Sequence, residues 1–245
     1  MTQDMKPVFT DDPMPFSCGP GNVCFNDCCR DLNQVLTPYD VLRLKTSLKL
    51  SSRDFLKTYT VCRIGPESGL PTVAFKPNPA TGHACPLVTD AGCSVYPDRP
   101  GSCRLYPLAR AVVRARETGE IQVYYALIEE DHCKGLGLNT GQTVGQWLAG
   151  QAVDRHNRFN DYLMELISLK NRILPGRLPG AQADLFYLAL YDLDEFRHRI
   201  FGQNLLTGLT VNRPTMEKIS TCDETLLVLG MKWVRYQLFG INGDE

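Results

Sequence analysis

Apolar residues recur along this chain in three successive textures. After an irregular start, Thr37, Pro38, Tyr39 and Asp40 form a helix entry, with Thr37 as cap, Pro38 at the first helical position and Asp40 in the first turn. Val41, Leu42, Leu44, Leu48 and Leu50 supply its apolar face. A second entry at Ser51 to Asp54 leads to Phe55, Leu56 and Tyr59, the buried side of another short helix. From Tyr59 the texture becomes strand-like. Residues 60–64 and 72–76 flank a stretch dense in turn residues and predict a hairpin. Residues 109–116 and 121–128, rich in Val, Tyr and Ile, predict a second hairpin around a turn at Glu117 to Glu120. Beyond Gly141 the steps become three and four residues: Val144, Trp147, Leu148, Val153, Phe159, Leu163, Leu166 and Ile167. Residues 185–206 and 214–239 continue as two further helices, a C-terminal set of about three.

The predicted fold class is therefore α+β. A small irregular Cys-rich metal-binding domain with short helices and β-hairpins is expected over residues 1–140. A C-terminal helical region of about three helices, packed on it, is expected over residues 141–245. No internal repeat interrupts this plan. Between the hairpins, residues 77–107 are too rich in Cys, Gly and Pro to hold a shape by strand ladders alone, so something must pin them.

The composition is that of a globular chain: 245 residues, 43% hydrophobic and 22% charged. A formal charge of -1 supplies no basic field for nucleic acid or an anionic membrane. The N-terminus lacks the apolar core of a secretory signal. The apolar stretch at residues 185–191 is far short of the ~20 residues that a spanning helix needs. No nucleic-acid partner, no membrane and a cytoplasmic location are the expectations that follow. In that compartment thiols stay reduced and can serve as ligands.

The count that changes this picture is 10 cysteines, nine of them before residue 134. A chain of this length buries enough surface to do without disulfides, so the thiols need another explanation. Cys18, Cys24, Cys28 and Cys29 lie in a loop containing Gly19, Pro20 and Gly21, where the backbone turns tightly and its NH groups can approach sulfur. Cys85, Cys93 and Cys103 form a second group, and Cys133 follows the second hairpin. Thiolates gathered from separate loops suit a soft four-coordinate centre. Cys62 and Cys222 are isolated and read as packing residues. The remaining eight equal two four-thiolate sets, or one set with a functional remainder, and spacing does not choose between them. Adjacent Cys28 and Cys29 can face two sites, or one can ligate while the other packs. His83 and His132, each close to a cysteine, are second-choice ligands; His156 and His198 read as ordinary helix residues.

Cys18 to Cys29, the helix from Leu36 to Arg43, Cys85 with Pro86 and Leu87, Gly92 to Tyr96, Arg99 to Pro107 and Cys133 together resemble the YkgJ-like cysteine-cluster family, described as zinc- or iron-chelating. The resemblance spans roughly residues 16–150. The family pattern is C-x-x-C-x-x-C-C, whereas this chain has gaps of five and three residues before its adjacent pair. The family is also similar to flagellin lysine methylases, whose cysteine domain is thought to carry an iron-sulfur cluster. Only the cysteines carry over, since no substrate-lysine or S-adenosylmethionine site is evident. Gly135 to Gly141 lacks the spacing of a phosphate-binding loop and reads as a turn feeding the next helix.

Zinc knuckles are compact, whereas gaps of five, seven and nine residues suit a cluster wrapped by longer loops. An iron-sulfur cluster of the [4Fe-4S] type is therefore the favoured cofactor, with zinc as the alternative. Arg99, Arg104 and Lys134 lie near the candidate ligands. Arg104 is the one expected to offset thiolate charge at the cofactor, while Tyr96 and Tyr106 read as a hydrophobic lid. Three functions stay open: a metal-binding protein whose C-terminal helices cover the centre or recruit a protein partner, an enzyme of the methylase or redox type, and a module that metal merely staples.

Overall fold

The computed structural model describes residues 4–30, 33–114, 121–138 and 140–241. In chain order these form β1 (Asp4–Val8), β2 (Val35–Leu36), α1 (Pro38–Ser47), α2 (Ser52–Tyr59), β3 (Thr60–Ile64), β4 (Pro71–Phe75), β5 (Val88–Thr89), β6 (Gly92–Cys93) and α3 (Gly101–Leu105). Then come β7 (Leu108–Arg114), β8 (Ile121–Glu129), α4 (Val144–Gly150), α5 (Asp154–Ile173), α6 (Gly180–Leu190), α7 (Leu193–Gln203), α8 (Arg213–Ile219) and α9 (Asp223–Phe239). The fold is α+β with a C-terminal helical region. Both hairpins form, β3 with β4 and β7 with β8, each antiparallel. The expected turn at 117–120 lies outside the described residues.

The chain divides into two compact units that interleave in sequence. Met1–Leu32 joins Pro77–Asn157, and Asn33–Lys76 joins Arg158–Glu245. This differs from a single cut after residue 140, and the reason lies in α1 and α2. Tyr39, Val41, Leu42, Leu44 and Phe55 need an apolar partner for their buried face, and they find it among the C-terminal helices of their own unit.

In that helical unit, Thr37 caps α1 through a full capping box with Asp40, and Ser51 caps α2 by accepting from the Asp54 N–H. Tyr39 stacks on Phe159 with ring centroids 4.2 Å apart. A carbonyl-to-helix approach at Gly230, where a Cβ would strike the Ala189 carbonyl oxygen, lets α9 lie close on α6. Each of the three expected C-terminal helices is divided in two. The first breaks at Ala152, whose φ of 51° ends a helical run. The others restart at α7 and α9, and both restarts carry acids in the first turn: Asp194 with Glu195, and Asp223 with Glu224. Acids there oppose the positive end of the helix dipole, a start signal that apolar spacing alone does not register. Among the described residues no helix is long and apolar enough to cross a membrane.

The cysteine-bearing unit is built on an antiparallel sheet of order β1-β8-β7, with the short β5-β6 hairpin apart from it. Its core is Met14, Phe16, Leu108, Leu127, Val144, Leu148 and Val153. Tyr106, Leu136, Trp147 and Cys133 pack against that core. Phe16 sits at its centre, edge-on to Trp147 at 5.2 Å and to Tyr106 at 6.2 Å.

One buried charge organises the helical unit. Lys45, with 7% of its side chain exposed, bonds Asp194 at 3.0 Å and Asp223 at 2.8 Å, and Arg197 meets the same two carboxylates. Burial would raise the Asp194 pKa, but the Ser52 N–H and then Lys45 outweigh it and hold the carboxyl below its usual 3.8. Its contribution to stability is thus present above the ordinary value and lost as pH falls through the depressed one. Lys45→Met leaves two facing carboxylates and is expected to cost about 2–3 kcal/mol in urea unfolding. That is below the full cost of breaking a buried pair, because Asp194 keeps contact with water. The advantage of the wild type over Asp194→Asn is expected to be full at neutral pH and to vanish progressively below the ordinary aspartate value.

Candidate metal centre

The loop after Phe16 is a chain of tight turns. Asn22, Phe25, Asp27, Cys29 and Arg30 each donate their N–H to the carbonyl three residues earlier, and Asp27–Cys29 completes a 3-10 turn. Asn26 makes the sharp entry to it with φ of 71°. At three residues per turn, neighbouring side chains point about 120° apart. Cys28 and Cys29 nonetheless stay in contact with each other, and Cys85 interacts with both.

Cys28 lines a pocket together with Cys18, Cys24 and Cys133, and Phe16, Asn22, Tyr106, His132 and Gly135 complete its wall. The meeting of Cys18 with Cys133 comes from the backbone. The Ser17 N–H donates to Gly135 at 3.0 Å, the Gly137 N–H to Pro15 at 2.8 Å, and Phe16 bridges Leu136. Asn22 Nδ2 donates to the Ser17 carbonyl at 2.7 Å and ties the cysteine loop to the same seam. The Lys134 N–H then reaches Cys24 Sγ at 3.1 Å. Such an N–H to sulfur bond stabilises thiolate charge and orients the donor.

Cys29 has other company. Its carbonyl accepts from the Cys85 N–H at 2.8 Å, and its thiol feels Cys85 and Cys103 as well as Cys28. The β5-β6 hairpin pairs Val88 with Cys93, while the Val88 N–H donates to the Cys85 carbonyl at 3.2 Å, which brings Cys93 beside Cys85. Gly92 at the hairpin adopts φ of 111° and lies under Phe25, whose ring a Cβ would meet at 3.1 Å. Asn26 Nδ2 donates to the Thr89 carbonyl at 3.1 Å and joins this hairpin to the first loop.

The eight candidate ligands lie in one unit: Cys18, Cys24, Cys28 and Cys133 line the pocket, Cys29, Cys85, Cys93 and Cys103 lie beside it, and Cys28 touches both groups through Cys29 and Cys85. All ten cysteines are free thiols. Cys62 and Cys222 belong to the helical unit. Among the described residues, no three His, Cys, Asp or Glu side chains already form a group that would hold an ion. The four pocket thiols line a wall rather than converge.

Protons fill part of the role that a metal would take. A hydrogen bond with Cys29 lowers the Cys28 pKa to about 7, while the same bond and then burial hold the Cys29 thiol far above its usual range. Burial, then the neighbouring Cys28, Cys24 and Cys133, raises Cys18. Burial also raises Cys85. Burial first, and neighbouring thiols second, thus favour the protonated form at Cys18 and Cys85.

The basic residues are engaged differently from the expectation of charge offset. Arg104, 7% exposed, donates to the carbonyls of Arg99 at 3.1 Å, Gln151 at 2.9 Å and Pro97. Arg99 donates to the Tyr96 carbonyl at 2.7 Å and to Gln151 Oε1 at 2.6 Å, with its guanidinium 3.8 Å above the Tyr96 ring. Both arginines therefore brace the irregular segment that presents Cys103. Lys134 places its ammonium 2.6 Å from the Asp131 carbonyl, and its contribution to the pocket is the backbone N–H.

His132 lines the pocket, with Nε2 3.5 Å from both Glu130 Oε2 and Tyr106 Oη; His83 lies outside that lining. Tyr106 packs its ring on Phe16, and burial first and the neighbouring Cys133 second push its phenol above the usual range. Tyr96 is 58% exposed and so covers nothing as a lid would. Asn22, Glu130 and Gln151 escaped the sequence reading. Their only sequence signal was proximity to a cysteine or a turn, and Gln151 lacked even that.

Residues 17–134 match a family model, CxxCxxCC, described as a "putative zinc- or iron-chelating domain". The match contains all eight clustered cysteines and begins and ends beside the Ser17 and Lys134 bonds that close the pocket. No curated protein and no solved structure matches the chain.

The seam beneath the clustered cysteines is tight at Gly135. A Cβ there would strike the Ser17 carbonyl oxygen and lie 3.1 Å from the Phe16 ring. Gly135→Ala is expected to push the Cys18 and Cys133 segments apart and to lower stability by about 1–3 kcal/mol, as overpacking does. Thermal unfolding measures the loss, and metal uptake is expected to fall with it.

Proposed function

We propose that this CxxCxxCC domain is a cytoplasmic iron-sulfur protein that uses two four-thiolate sets, Cys18, Cys24, Cys28 and Cys133 in one and Cys29, Cys85, Cys93 and Cys103 in the other. The observation that carries the reading is the pocket: four thiols, three from one loop and Cys133 from beyond β8, line one wall, with a peptide N–H already aimed at one sulfur. Random packing cysteines have no reason to share a cavity.

The supports around the thiols favour this type of centre. The thiols come from a turn-rich loop, a small hairpin, a short helix and the end of a strand, and not from a compact zinc knuckle. Hydrogen bonds to ligand sulfur are among the levers that set the potential of iron-sulfur centres. When bound, a [4Fe-4S] centre would supply one-electron chemistry. Arg99, Arg104, Gln151 and Gly135 hold the ligand-bearing backbone; Asn22 and Lys134 link the cysteine loop to Cys133; Phe16 and Tyr106 form the apolar side of the wall.

Elemental analysis with absorption spectroscopy on anaerobically purified full chain tests the proposal. The expected result is a brown protein containing iron and sulfide, bleached by air. Cys133→Ser and Cys103→Ser should each lose about half of the metal, one from each set, while Cys62→Ser keeps all of it. A colourless protein with stoichiometric zinc would overturn the iron-sulfur assignment, and full metal in both site variants would overturn the ligand sets.

A further inference from the structure

The sheet of the cysteine-bearing unit has two edges, and they are built differently. β1 pairs with β8 only as far as Val8 opposite Tyr125. β7 pairs with β8 over its whole length, from Leu108 opposite Leu127 to Arg114 opposite Ile121. Residues 111–114 and 121–124 therefore form a two-stranded arm that reaches past β1. Side chains along a strand alternate between two faces, and this arm exposes apolar ones on both. Val113 and Tyr124, each 52% exposed, share one face; Ile121 at 44% and Val123 at 41% lie on the other. A ribbon of two strands is marginal in water by itself.

Hydrogen-bond direction separates the two edges further. The Ile128 N–H donates to the Pro107 carbonyl at 2.8 Å, and in an antiparallel ladder every second residue turns its backbone groups to the same partner. Ala109, Ala111 and Val113 thus face β8 with theirs. Leu108, Arg110 and Val112 turn theirs to the outer side, where no further strand pairs among the described residues. On β1 the same alternation turns Met5 and Pro7 outward. Proline has no N–H to offer there, a device that blunts an edge strand. No proline interrupts Leu108–Arg114, so the outer edge of β7 is open to a strand.

We propose that β7 is a self-association edge: two copies of this chain pair along it, with the two-fold axis at Ala111, and join their three-stranded sheets into one of six strands. A closed two-fold makes identical strands antiparallel. Arg110 and the length of the strand then select the register. An axis at Arg110 would set two guanidinium groups directly opposite, which is unfavourable. Ala111 is the midpoint of Leu108–Arg114, so an axis there gives every residue of the strand a partner. Arg110 then lies opposite Val112 of the second copy, and each Val112 N–H donates to the Arg110 carbonyl across the interface. The two Ala111 residues meet as a non-hydrogen-bonded pair, where the strands come closest, about 4.5 Å between Cα atoms. Tyr124 lies opposite Ala111 on β8, so a row of Tyr124, Ala111, Ala111 and Tyr124 runs across the joined sheet. On the same face Val113 meets Ala109 of the second copy. The strands involved run from just after Cys103 to just before Cys133, and their pairing depends on no bound group.

Sedimentation velocity on the full chain as purified, over a concentration series, tests this, with circular dichroism to establish that each variant folds. The wild type is expected to form a dimer. Val112→Pro removes an outward N–H and leaves the ladder with β8 intact, so the dimer loses two backbone hydrogen bonds and weakens about thirtyfold. Ala111→Lys and Ala111→Glu, at an exposed position, each bring like charges together on the axis and weaken the dimer about fivefold. Mixing those two variants restores it, because opposite charges then meet. A wild-type chain that stays monomeric at every concentration overturns the inference. So does a dimer that keeps its wild-type strength in the folded variants. A mixture of the two Ala111 variants that associates no better than either alone overturns the axis at Ala111.

Discussion

The seam between residues 10–17 and 135–145 is the constraint on which the cysteine unit depends. The N–H groups of Met14, Ser17, Gly137, Val144 and Gly145 all bond across it, joining stretches more than a hundred residues apart. Backbone bonds of this kind are individually modest, about 1 kcal/mol each, but they fix register, and register decides which side chains face one another. Phe16 is buried on one side of the seam against Trp147 and Tyr106, so Cys18, two residues on, emerges at the pocket opposite Cys133. Gly135 is what lets the two strands of the seam lie this close.

From that seam the centre is assembled in two directions. The 3-10 turn at Asp27–Cys29 takes the first loop from the pocket to the second set in the space of one peptide bond. The β5-β6 hairpin and the braced segment before Cys103 then close on Cys29. The consequence is that thiols walled by aromatic and polar side chains at the pocket adjoin thiols held by the hairpin and the braced backbone, with Cys28 and Cys29 in contact at the junction.

Much of this chain was legible as local pattern. The Thr37 and Ser51 caps, the two hairpins and the α+β class follow from residue types whose preferences act over four or five positions, and the structure has them. The helix count was less legible, because Asp194 with Glu195 and Asp223 with Glu224 restart helices inside apolar runs that look continuous. The interleaving of the two units was not legible at all. Nothing in the sequence of α1 or α2 says that their apolar faces are covered by helices more than a hundred residues away.

For the candidate site the division is similar. Composition alone singled out eight thiols in turn-rich loops, and their chemistry pointed to soft metal, because residue type determines what a donor can bind. Their partition could not be read from gaps of five, three, seven and nine residues, since loop length sets reach and not direction. Arg104 read as a counter-charge because it adjoins Cys103; the fold also gives it the carbonyls of Arg99 and Gln151, which only the folded segment brings within range. The sequence by itself determined which atoms were available to a metal. The tertiary structure decided which thiols lie near one another, because sulfur positions depend on the turn at Cys28 and on a seam that joins the chain's beginning to its middle.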